Sequence, residues 1–418
     1  MKSGFLEVPL SWANAIAHVD ADCFYASCEQ LRRPDLQGQP ICVLSSQDAC
    51  VVAKTYDAKA AGITTGMTAW DAKKRLPGAI FLSADFRYYG QISDKLFSIL
   101  RRFSPVVEEY SIDEAFMDMK GLRSLHRKSY RQMADEMRAT VQQEIGITVS
   151  VGISVTRTLA KMASEYNKPD GTTIVAGRRI QDFLQQVSVR DIPGIGGNRE
   201  ALLNKFSIHT GADFASASEH HIKRLLGKVG IELWHELNGT SLYKVETEAR
   251  LPKSVARTAS MGQLTQDQTV IRAHLTRHAM RLSKELMEKR LTASRLTVFL
   301  TLKSFDPQAV TAELPYPTAD YFMLMDEAGR ALDKLFDPER IYRACGLVAT
   351  DIAVRQSGNF DLFRRAEQQH EDKHLQLLQT MHRINHKYGD NMLSVCGAFK
   401  SGSRAAGTRF NYPMLECS

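Results

Sequence analysis

The feature that most constrains the fold is a short apolar segment, residues 15–19, that leads directly into the acidic residue Asp20. Its length and composition are typical of a buried β-strand. Two further predicted strands, at residues 106–110 and 115–119, flank a second acidic segment that contains Asp113 and Glu114. Because an acid at the end of a buried strand points into solvent or into a site, these residues mark candidate site positions on a predicted sheet.

At 418 residues the chain is too long for one hydrophobic core, so about two to four domains are expected. Mixed strand and helix patterns up to about residue 185 predict an α+β unit, in which residues 36–82 form an inserted subdomain. A helical unit follows and opens with the turn Pro193-Gly-Ile-Gly196. A polar linker then precedes a second α+β domain, with a predicted strand at residues 295–302 and a helix at residues 322–336.

Composition favours a soluble protein in a reducing compartment. The chain has 44% hydrophobic and 24% charged residues, and no apolar run long enough to span a bilayer. Glu7 and Pro9 interrupt the segment that a secretory signal would occupy, so a cytoplasmic protein without a membrane partner is expected. The seven cysteines include no CxxC pair, which favours isolated reduced thiols over zinc ligands or disulfides.

The positive charge of the chain is concentrated in one segment. Residues 253–303 contain ten Lys or Arg and three acidic residues, and their net charge of +7 equals that of the whole chain. Such a segment is expected in a module that faces phosphate groups, although lysines on a solvated face produce the same pattern.

The acidic positions suit metal-dependent phosphoryl transfer. Two divalent ions about 3.5 to 4 Å apart neutralise charge on the attacking and leaving oxygens when carboxylates bridge them. Asp20, Asp113 and Glu114 would supply such oxygen ligands if their strands lie side by side. An acidic pair in a turn is more often a solvated surface feature, so spacing alone does not distinguish the two.

Five ordered motifs resemble those of Y-family DNA polymerases. They are Val19-Asp-Ala-Asp-Cys-Phe-Tyr-Ala-Ser-Cys-Glu29, Glu109-Tyr-Ser-Ile-Asp-Glu-Ala-Phe116, Val151-Gly-Ile-Ser154 with Leu159-Ala-Lys161, Lys168-Pro-Asp-Gly171 and Ile192-Pro-Gly-Ile-Gly196. The resemblance implies an α+β right-hand polymerase with a palm of antiparallel sheet plus helices, small fingers, a helical thumb with a helix-hairpin-helix, and an α+β little finger. The implied boundaries are 1–23 and 82–186 for the palm, 24–81 for the fingers, 187–240 for the thumb, 241–252 for a linker, 253–356 for the little finger and 357–418 for a tail.

The same resemblance assigns the metal site. It implies that Asp20, Asp113 and Glu114 are the metal-binding carboxylates and that the backbone carbonyl of Ala21 is a further ligand. The expected cofactor is a pair of Mg²⁺ ions, for which Mn²⁺ can substitute. The implied reaction is template-directed transfer of dNMP from dNTP to a primer 3′-OH, in SOS damage tolerance and DNA repair.

The resemblance also assigns the nucleotide pocket. Tyr25 corresponds to the steric gate that excludes a 2′-hydroxyl, and Phe24 backs the pocket. Tyr56, Lys59 and Lys168 correspond to residues that bind the triphosphate, although many relatives carry Arg in place of Lys59. Lysine offers a point charge and no two-pronged fork, so a weaker hold on the nucleotide is expected. Small residues over the pocket imply low fidelity; they are Ala49, Cys50, Val52 and Gly66.

DNA-binding residues are predicted in two domains. Gly194 and Gly196 of the thumb would let backbone amides approach a phosphate. The little-finger candidates are Lys253, Arg257, Arg295 and Lys303. Primer-template DNA and dNTPs are therefore the expected partners.

The tail suggests protein partners. Asn359-Phe-Asp-Leu-Phe363 resembles the peptide by which bacterial polymerases dock on the sliding clamp, with Leu362 and Phe363 as anchors and Asn359 in place of the usual Gln. The C-terminal extension resembles the UmuC type, whereas the Lys168-Pro-Asp-Gly171 region is nearer to the polymerase IV type. A UmuC-like chain would use a UmuD-like dimer and a recombinase filament.

Two other functions share part of this pattern. A non-catalytic DNA-damage adaptor of the same fold would keep the thumb and little finger but would have lost the acids, which are present here. A palm-fold nucleotidyl cyclase would share paired acids at a β-turn, but it would lack a helix-hairpin-helix and a basic DNA-binding domain.

Overall fold

The structure, a computed structural model, describes residues 12, 14–45, 48–247 and 251–355, together with residues 374, 376–378, 380, 381, 383, 384, 387 and 393. The chain divides into two compact units, residues 1–249 and 250–418. The predicted clamp anchors Leu362 and Phe363 lie outside the described residues. In the part of the chain that is described, no helix is both long and apolar enough to cross a membrane.

The first unit mixes short strands with helices. Its strands are β1 (Ile16–Ala21), β2 (Ile41–Leu44), β3 (Val51–Lys54), β4 (Ile80–Ser83), β5 (Val107–Glu109), β6 (Glu114–Asp118), β7 (Val149–Ser154) and β8 (Thr172–Ile174). Its helices are α1 (Phe24–Arg32), α2 (Tyr56–Ala60), α3 (Ala69–Arg75), α4 (Phe86–Leu100), α5 (Leu122–His126), α6 (Tyr130–Glu144), α7 (Arg157–Tyr166), α8 (Ile180–Gln185), α9 (Gly197–Asn204), α10 (Gly211–Ser216) and α11 (Glu219–Leu237). Single turns of 3-10 helix occur at Pro34–Leu36, Gly177–Arg179 and Val189–Asp191.

Strand β1 lies at the centre of a five-stranded sheet with the order β5-β6-β1-β7-β8. It pairs antiparallel with both β6 and β7, whereas β8 runs parallel to β7. Both faces of β1 are covered: Ala17 and Val19 belong to a core with α4 and α6, whereas His18 contacts Ser164 of α7. Because side chains alternate along a strand, His18 and Asp20 lie on the face that α7 covers.

Helix α7 packs very close to the sheet at Gly152 of β7. A β-carbon at this position would lie 2.2 Å from both Ala160 O and Ser164 N, so only glycine fits. The close approach brings Ser164 within hydrogen-bond distance of β1 and lets Lys161 reach Glu114 at the start of β6. The packing of one helix thus supplies two polar groups to the sheet.

The predicted inserted subdomain contains its own small sheet, in the order β3-β2-β4. Strand β2 pairs antiparallel with β3 and parallel with β4. A separate apolar cluster that includes Cys42, Val51, Ile63 and Ala72 holds this sheet against α2 and α3.

The helical part of the unit includes α9, α10 and α11. Gly227 has φ 65° and ψ −145°, so α11 consists of two helical segments that meet at this residue. Gly194, in the turn before α9, has φ +90°, a conformation that favours glycine. Gly196 is the N-cap residue of α9.

The first residues of the predicted linker are held in place by two carboxylates, those of the buried Glu236 and the half-buried Glu108. Glu236 at the end of α11 accepts hydrogen bonds from the backbone N–H groups of Leu242 and Tyr243, and Glu108 of β5 accepts one from Glu246 N at 2.8 Å. A buried carboxylate requires donors, so this polar segment is fixed by the acids that it satisfies.

The second unit is a four-stranded antiparallel sheet with two long helices. Its elements are β9 (Ser254–Thr265), α12 (Gln268–Glu288), β10 (Leu291–Leu302), β11 (Pro307–Thr318), α13 (Tyr321–Leu335) and β12 (Tyr342–Val354), and the sheet order is β11-β10-β12-β9. Side chains from the sheet and both helices form one apolar core, which also includes Leu378 from the C-terminal segment.

The predicted fold class is confirmed, since both units are α+β. The predicted strands at residues 15–19, 106–110, 115–119 and 295–302 overlap β1, β5, β6 and β10. The predicted helix at residues 322–336 is confirmed as α13.

Candidate active site

Two of the predicted acids meet across paired strands. Asp20 of β1 is the direct antiparallel partner of Glu114 of β6, and it faces Ser150 of β7 on its other side. Directly opposite residues of an antiparallel pair project to the same face of the sheet, so both carboxylates occupy the α7 face. The ligand atoms of His18, Asp20 and Glu114 lie within 4.8 Å of one another.

Asp113 lies at the bend just before β6. Its backbone carbonyl accepts a hydrogen bond of 3.0 Å from Ala21 N, and its carboxylate accepts one from the Ser111 hydroxyl. Burial raises the pKa of Asp113, and the nearby negative charge of Glu114 raises it further. Among the described residues, Asp113 does not belong to the 4.8 Å group, although its backbone adjoins that of Ala21.

Two lysines neutralise the paired acids. Lys168 Nζ lies 2.6 Å from Asp20 Oδ1 and 2.5 Å from Glu165 Oε1, and Lys161 Nζ lies 2.6 Å from Glu114 Oε2. Burial raises the pKa of Asp20 to about 8, and the ammonium group of Lys168 opposes this effect only in part. Burial also acts on Glu114, but the ammonium group of Lys161 opposes it, and the pKa of Glu114 is lowered.

These donors fit hard divalent cations. Carboxylate and carbonyl oxygens are the ligands that Mg²⁺ prefers, and Asp20 and Glu114 are too buried for water alone to stabilise two negative charges. The lysine ammonium groups now supply the compensating charge. A divalent cation between the carboxylates would supply more charge at the same place.

His18 is a site residue that sequence reasoning missed. Its side chain is fully buried, its Nδ1 lies 2.7 Å from Ser164 Oγ, and its Nε2 lies 3.7 Å from Glu114 Oε2. Because the Ser164 hydroxyl donates its proton to Lys161 O, it accepts from Nδ1, and Nε2 is left without a hydrogen-bond partner. Burial lowers the pKa of His18, so the neutral ring is favoured. The sequence did contain one indication of this residue, since His18 lies two residues before Asp20 and therefore on the same face of the predicted strand.

The predicted steric gate, Tyr25, lies in the first turn of α1. Its ring stacks on Tyr89 with a centroid distance of 4.6 Å and meets the edge of Phe86 at 5.7 Å. Burial raises the pKa of Tyr25, and the charge of Asp113 adds to this shift. Phe24 points into the core and is 3% exposed, whereas Tyr25 is only half-buried.

The predicted triphosphate-binding residues come from one helix and one loop. Tyr56 and Lys59 lie on α2, where Lys59 is exposed and its Nζ is 5.9 Å from the Tyr56 ring centroid. Lys168 lies between α7 and β8 and contacts Asp20. The Tyr56 hydroxyl donates a hydrogen bond of 3.2 Å to Asp22 Oδ1.

The predicted DNA-binding side chains of the second unit have different surroundings. Lys253 and Lys303 are exposed. Arg295 forms an exposed ion pair of 2.6 Å with Asp351, whereas Arg257 pairs with Glu285 of α12. In the first unit, Gly194 O accepts a hydrogen bond from Arg199, which closes the turn before α9.

Comparison with known proteins identifies the family. Residues 19–165 match the impB/mucB/samB family, and residues 252–362 match the C-terminal domain of the same family. The chain is 31% identical over 408 residues to DNA polymerase IV of Bacillus velezensis, with 96% of this chain and 97% of that protein covered. It is also 31% identical to the protein ImpB of Salmonella typhimurium, with 82% and 85% covered.

Solved structures support the same fold. A Y-family DNA polymerase chimera of Dbh and Dpo4 superposes with a TM-score of 0.68 at 24% identity, and 81% of this chain and 99% of that chain are covered. The insertion ternary complex of Dbh DNA polymerase gives a TM-score of 0.58. The chain belongs to the impB/mucB/samB family, the Y family of translesion DNA polymerases. These relatives are consistent with a chain that has features of both the UmuC type and the polymerase IV type.

Proposed function

We propose that this chain extends a primer along template DNA, across damaged template bases as well as intact ones, by transferring dNMP from dNTP. The observation that carries the proposal is the pairing of Asp20 with Glu114 on a buried sheet face, with Asp113 at the adjoining bend. Neither alternative function is supported, because a relative that matches almost the whole chain is named DNA polymerase IV and the acids that an inert adaptor would lose are retained.

Asp20, Asp113, Glu114 and the carbonyl of Ala21 would hold the metal ions, Mg²⁺ with Mn²⁺ as a substitute. Bound there, two divalent ions supply charge neutralisation for the attacking and leaving oxygens. The ammonium group of Lys168, now 2.6 Å from Asp20, is free to turn to the triphosphate once other positive charge compensates this carboxylate. Lys161 holds Glu114 in its ionised form.

The nucleotide would lie between the acids and the aromatic residues of α1. Tyr25 would lie under the sugar and exclude a 2′-hydroxyl, because stacking on Tyr89 leaves its ring little room to retreat. Phe24 would support this wall from the core. Tyr56, Lys59 and Lys168 would bind the triphosphate, with the two lysines as ammonium donors to phosphate oxygens.

The chain would bind the DNA backbone without recognising the base sequence. The turn that contains Gly194 and Gly196 precedes helix α9, whose first backbone N–H groups suit a phosphate. In the second unit, the exposed Lys253 and Lys303 are candidates for phosphate contacts. Arg257 and Arg295 would have to exchange their carboxylate partners for phosphate.

Protein partners are proposed from the sequence of the tail. Leu362 and Phe363 would anchor the chain on a sliding clamp, and a UmuD-like dimer with a recombinase filament would activate it. A pull-down with the clamp, comparing the parent with the double variant Leu362→Ala, Phe363→Ala, tests the first part. Equal capture of both proteins would contradict it.

Primer extension with Mg²⁺ on intact and abasic templates tests the proposed function. The parent is expected to extend both primers, and Asp113→Asn is expected to extend neither, while the control Asp94→Asn changes an exposed carboxylate of α4. Extension by Asp113→Asn at the parental rate would contradict the proposed site. A parent that is inactive alone is tested again with the UmuD-like dimer and the recombinase filament, and inactivity there contradicts the polymerase function.

A further inference from the structure

Asp22 is a buried acid beside the metal site that has no role in the site as described. Its side chain is 2% exposed, and it follows Asp20 by two residues. We propose that Asp22 is the positioning residue that fixes Tyr56 and the Lys168 loop relative to each other, and so sets the affinity for the triphosphate of the incoming nucleotide. This inference rests on the proposed nucleotide-binding roles of Tyr56 and Lys168.

The carboxylate of Asp22 joins three separate parts of the first unit. Its Oδ1 accepts hydrogen bonds from Tyr56 OH at 3.2 Å and from Ser150 Oγ at 2.9 Å. Its Oδ2 accepts one from Asp170 N at 2.8 Å. The donors belong to α2, to strand β7 and to the loop that begins at Lys168. One rigid group therefore sets the distance between a side chain of the predicted fingers and a loop of the predicted palm.

The backbone of Asp22 is fixed as firmly as its side chain. Asp22 N donates to Thr148 O at 3.0 Å, and the Ser27 hydroxyl donates to Asp22 O at 2.6 Å. With both ends held, the carboxylate cannot follow a donor that moves. A displacement of Tyr56 or of the Lys168 loop consequently breaks a hydrogen bond to a buried charge, which is among the stronger hydrogen bonds in a protein.

The loop that begins at Lys168 is also held by hydrogen bonds at both its backbone and its side chains. Asp170 has φ +53°, and its carboxylate accepts from Arg138 at 2.7 Å, while Gly171 N donates to Ser150 Oγ at 3.3 Å. Lys168 lies two residues before the amide that Asp22 binds, and its Nζ is 2.6 Å from Asp20. Asp22 thus links the loop that carries this ammonium group to the end of the strand that carries the metal site.

The partners of Asp22 argue against a metal-binding role. Within the described part of the chain, no Lys, Arg or His nitrogen lies within 4.0 Å of its carboxylate, and Asp22 is not in the group formed by His18, Asp20 and Glu114. Its oxygens face only neutral donors, two hydroxyls and one amide. A carboxylate with this environment orders its donors, and three of its acceptor positions are already used by them.

The substitution Asp22→Asn keeps the volume of the side chain but changes its hydrogen bonds. An amide has one acceptor oxygen, so if that oxygen keeps the Asp170 amide, the NH₂ group faces two hydroxyls that now donate. In single-turnover incorporation with primed DNA and Mg²⁺, the apparent Kd for dNTP is expected to rise about tenfold, with the maximal rate within about twofold of the parent. Tyr56→Phe, which removes one donor without touching the core acid, is expected to raise the Kd for dNTP by about threefold to tenfold.

The double variant and the controls make the test specific. Because both changes break the same interaction, Asp22→Asn with Tyr56→Phe is expected to be no worse than Asp22→Asn alone. The effect should be equal for all four dNTPs and should appear in inhibition by pyrophosphate, while Kd for DNA stays unchanged. Asp94→Asn serves as the matched control for loss of an aspartate charge.

Three results would overturn the inference. One is an unchanged Kd for dNTP in both Asp22→Asn and Tyr56→Phe, while Lys168→Ala weakens dNTP binding; the nucleotide-binding roles would then stand without Asp22. Another is a double variant whose loss is the product of the single losses. The third is an unchanged Kd for dNTP in Lys168→Ala and Tyr56→Ala, which would remove the nucleotide-binding roles themselves. If the Asp22→Asn variant does not fold, the Kd for dNTP and the pyrophosphate inhibition of Tyr56→Phe decide whether the inference holds.

Discussion

The candidate acids of the first unit and the candidate DNA-binding residue Arg295 of the second unit differ in how far their charges are buried. In the first unit, Asp20 is 5% exposed, and it lies with Glu114 and His18 on a sheet face covered by α7. In the second unit, Arg295 and its partner Asp351 have side chains 45% and 52% exposed. The buried group is compensated by two lysines that belong to the same site, whereas the exposed pair is compensated by water as well as by its partner.

This difference indicates that the buried acids, and not the exposed ion pair, are the better candidates for a catalytic role. A buried carboxylate is costly unless a cation or hydrogen-bond donors compensate it, so the loss of its partner matters. An exposed ion pair contributes little to stability and exchanges partners easily. The palm acids are therefore expected to respond to single substitutions far more strongly than the basic residues of the second unit.

The largest effect is expected at the paired acids. Asp20→Asn and Glu114→Gln keep the shape of each side chain but remove a charge that is proposed to bind metal, and each should lower the rate of dNMP incorporation by about 10³-fold or more. Single-turnover primer extension measures this rate, and Kd for DNA should stay within about twofold of the parent. A loss of less than about tenfold in both variants would contradict the comparison.

The next effect concerns the aromatic wall beside the acids. Tyr25→Ala removes the ring that stacks on Tyr89, so room for a 2′-hydroxyl opens beneath the sugar. Ribonucleotide incorporation relative to deoxyribonucleotide incorporation should rise by about 10- to 100-fold. Competition between rNTP and dNTP in primer extension measures this ratio, with Tyr88→Ala on α4 as the aromatic control. Equal discrimination in Tyr25→Ala and the parent would remove the steric-gate assignment.

A smaller effect is expected at His18. His18→Leu keeps most of the volume but removes the nitrogen beside Glu114 and the donor to Ser164. The Mg²⁺ concentration needed for half-maximal rate should rise about tenfold, as is usual when a group behind a metal ligand is removed. Ser164→Ala should give a smaller shift, since it changes only the orientation of the ring. An unchanged Mg²⁺ requirement in both variants would show that His18 only fills the core.

The smallest effects are expected in the second unit. Lys303→Ala should weaken DNA binding by about threefold at low salt and reduce the slope of log Kd against log salt by about one, without changing the catalytic rate. Arg257→Ala should change DNA binding less, because Arg257 is already paired with Glu285. Fluorescence titrations over a range of salt concentrations compare the two. A larger loss at Arg257 than at Lys303 would reverse this order.

The sequence predicts the sheet of the first unit well because its strands are apolar and end at recognisable positions. Strand β1 follows this rule, and in the second unit helix α13 was recognised from its helical pattern of apolar residues. Strands β9 and β11 were not predicted, since β9 is rich in small and polar residues and β11 contains Pro315 and Pro317. Both are edge strands of the sheet, where one side needs no partner and proline is tolerated.

The sequence indicated only part of the candidate site, for a physical reason, and the metal-binding role of its acids stays a prediction. The acids occur in motifs, so Asp20, Asp113 and Glu114 could be named from the sequence alone. His18 is one residue within an apolar strand, and its role depends on α7 packing against Gly152, which no local pattern reveals. The hydrogen bonds of Asp22 likewise join residues up to 148 positions apart in the sequence. Contacts of this kind arise only from the tertiary fold.

The number of divalent ions held by the acids tests the central claim most directly. Mn²⁺ binding to the complex with primed DNA and a non-hydrolysable dNTP can be counted by electron paramagnetic resonance. The parent is expected to bind two ions per chain, and Asp20→Asn and Glu114→Gln are each expected to lose at least one, while Asp94→Asn retains both. Two ions bound with parental affinity in Asp20→Asn and Glu114→Gln would contradict the assignment of these carboxylates as the metal site.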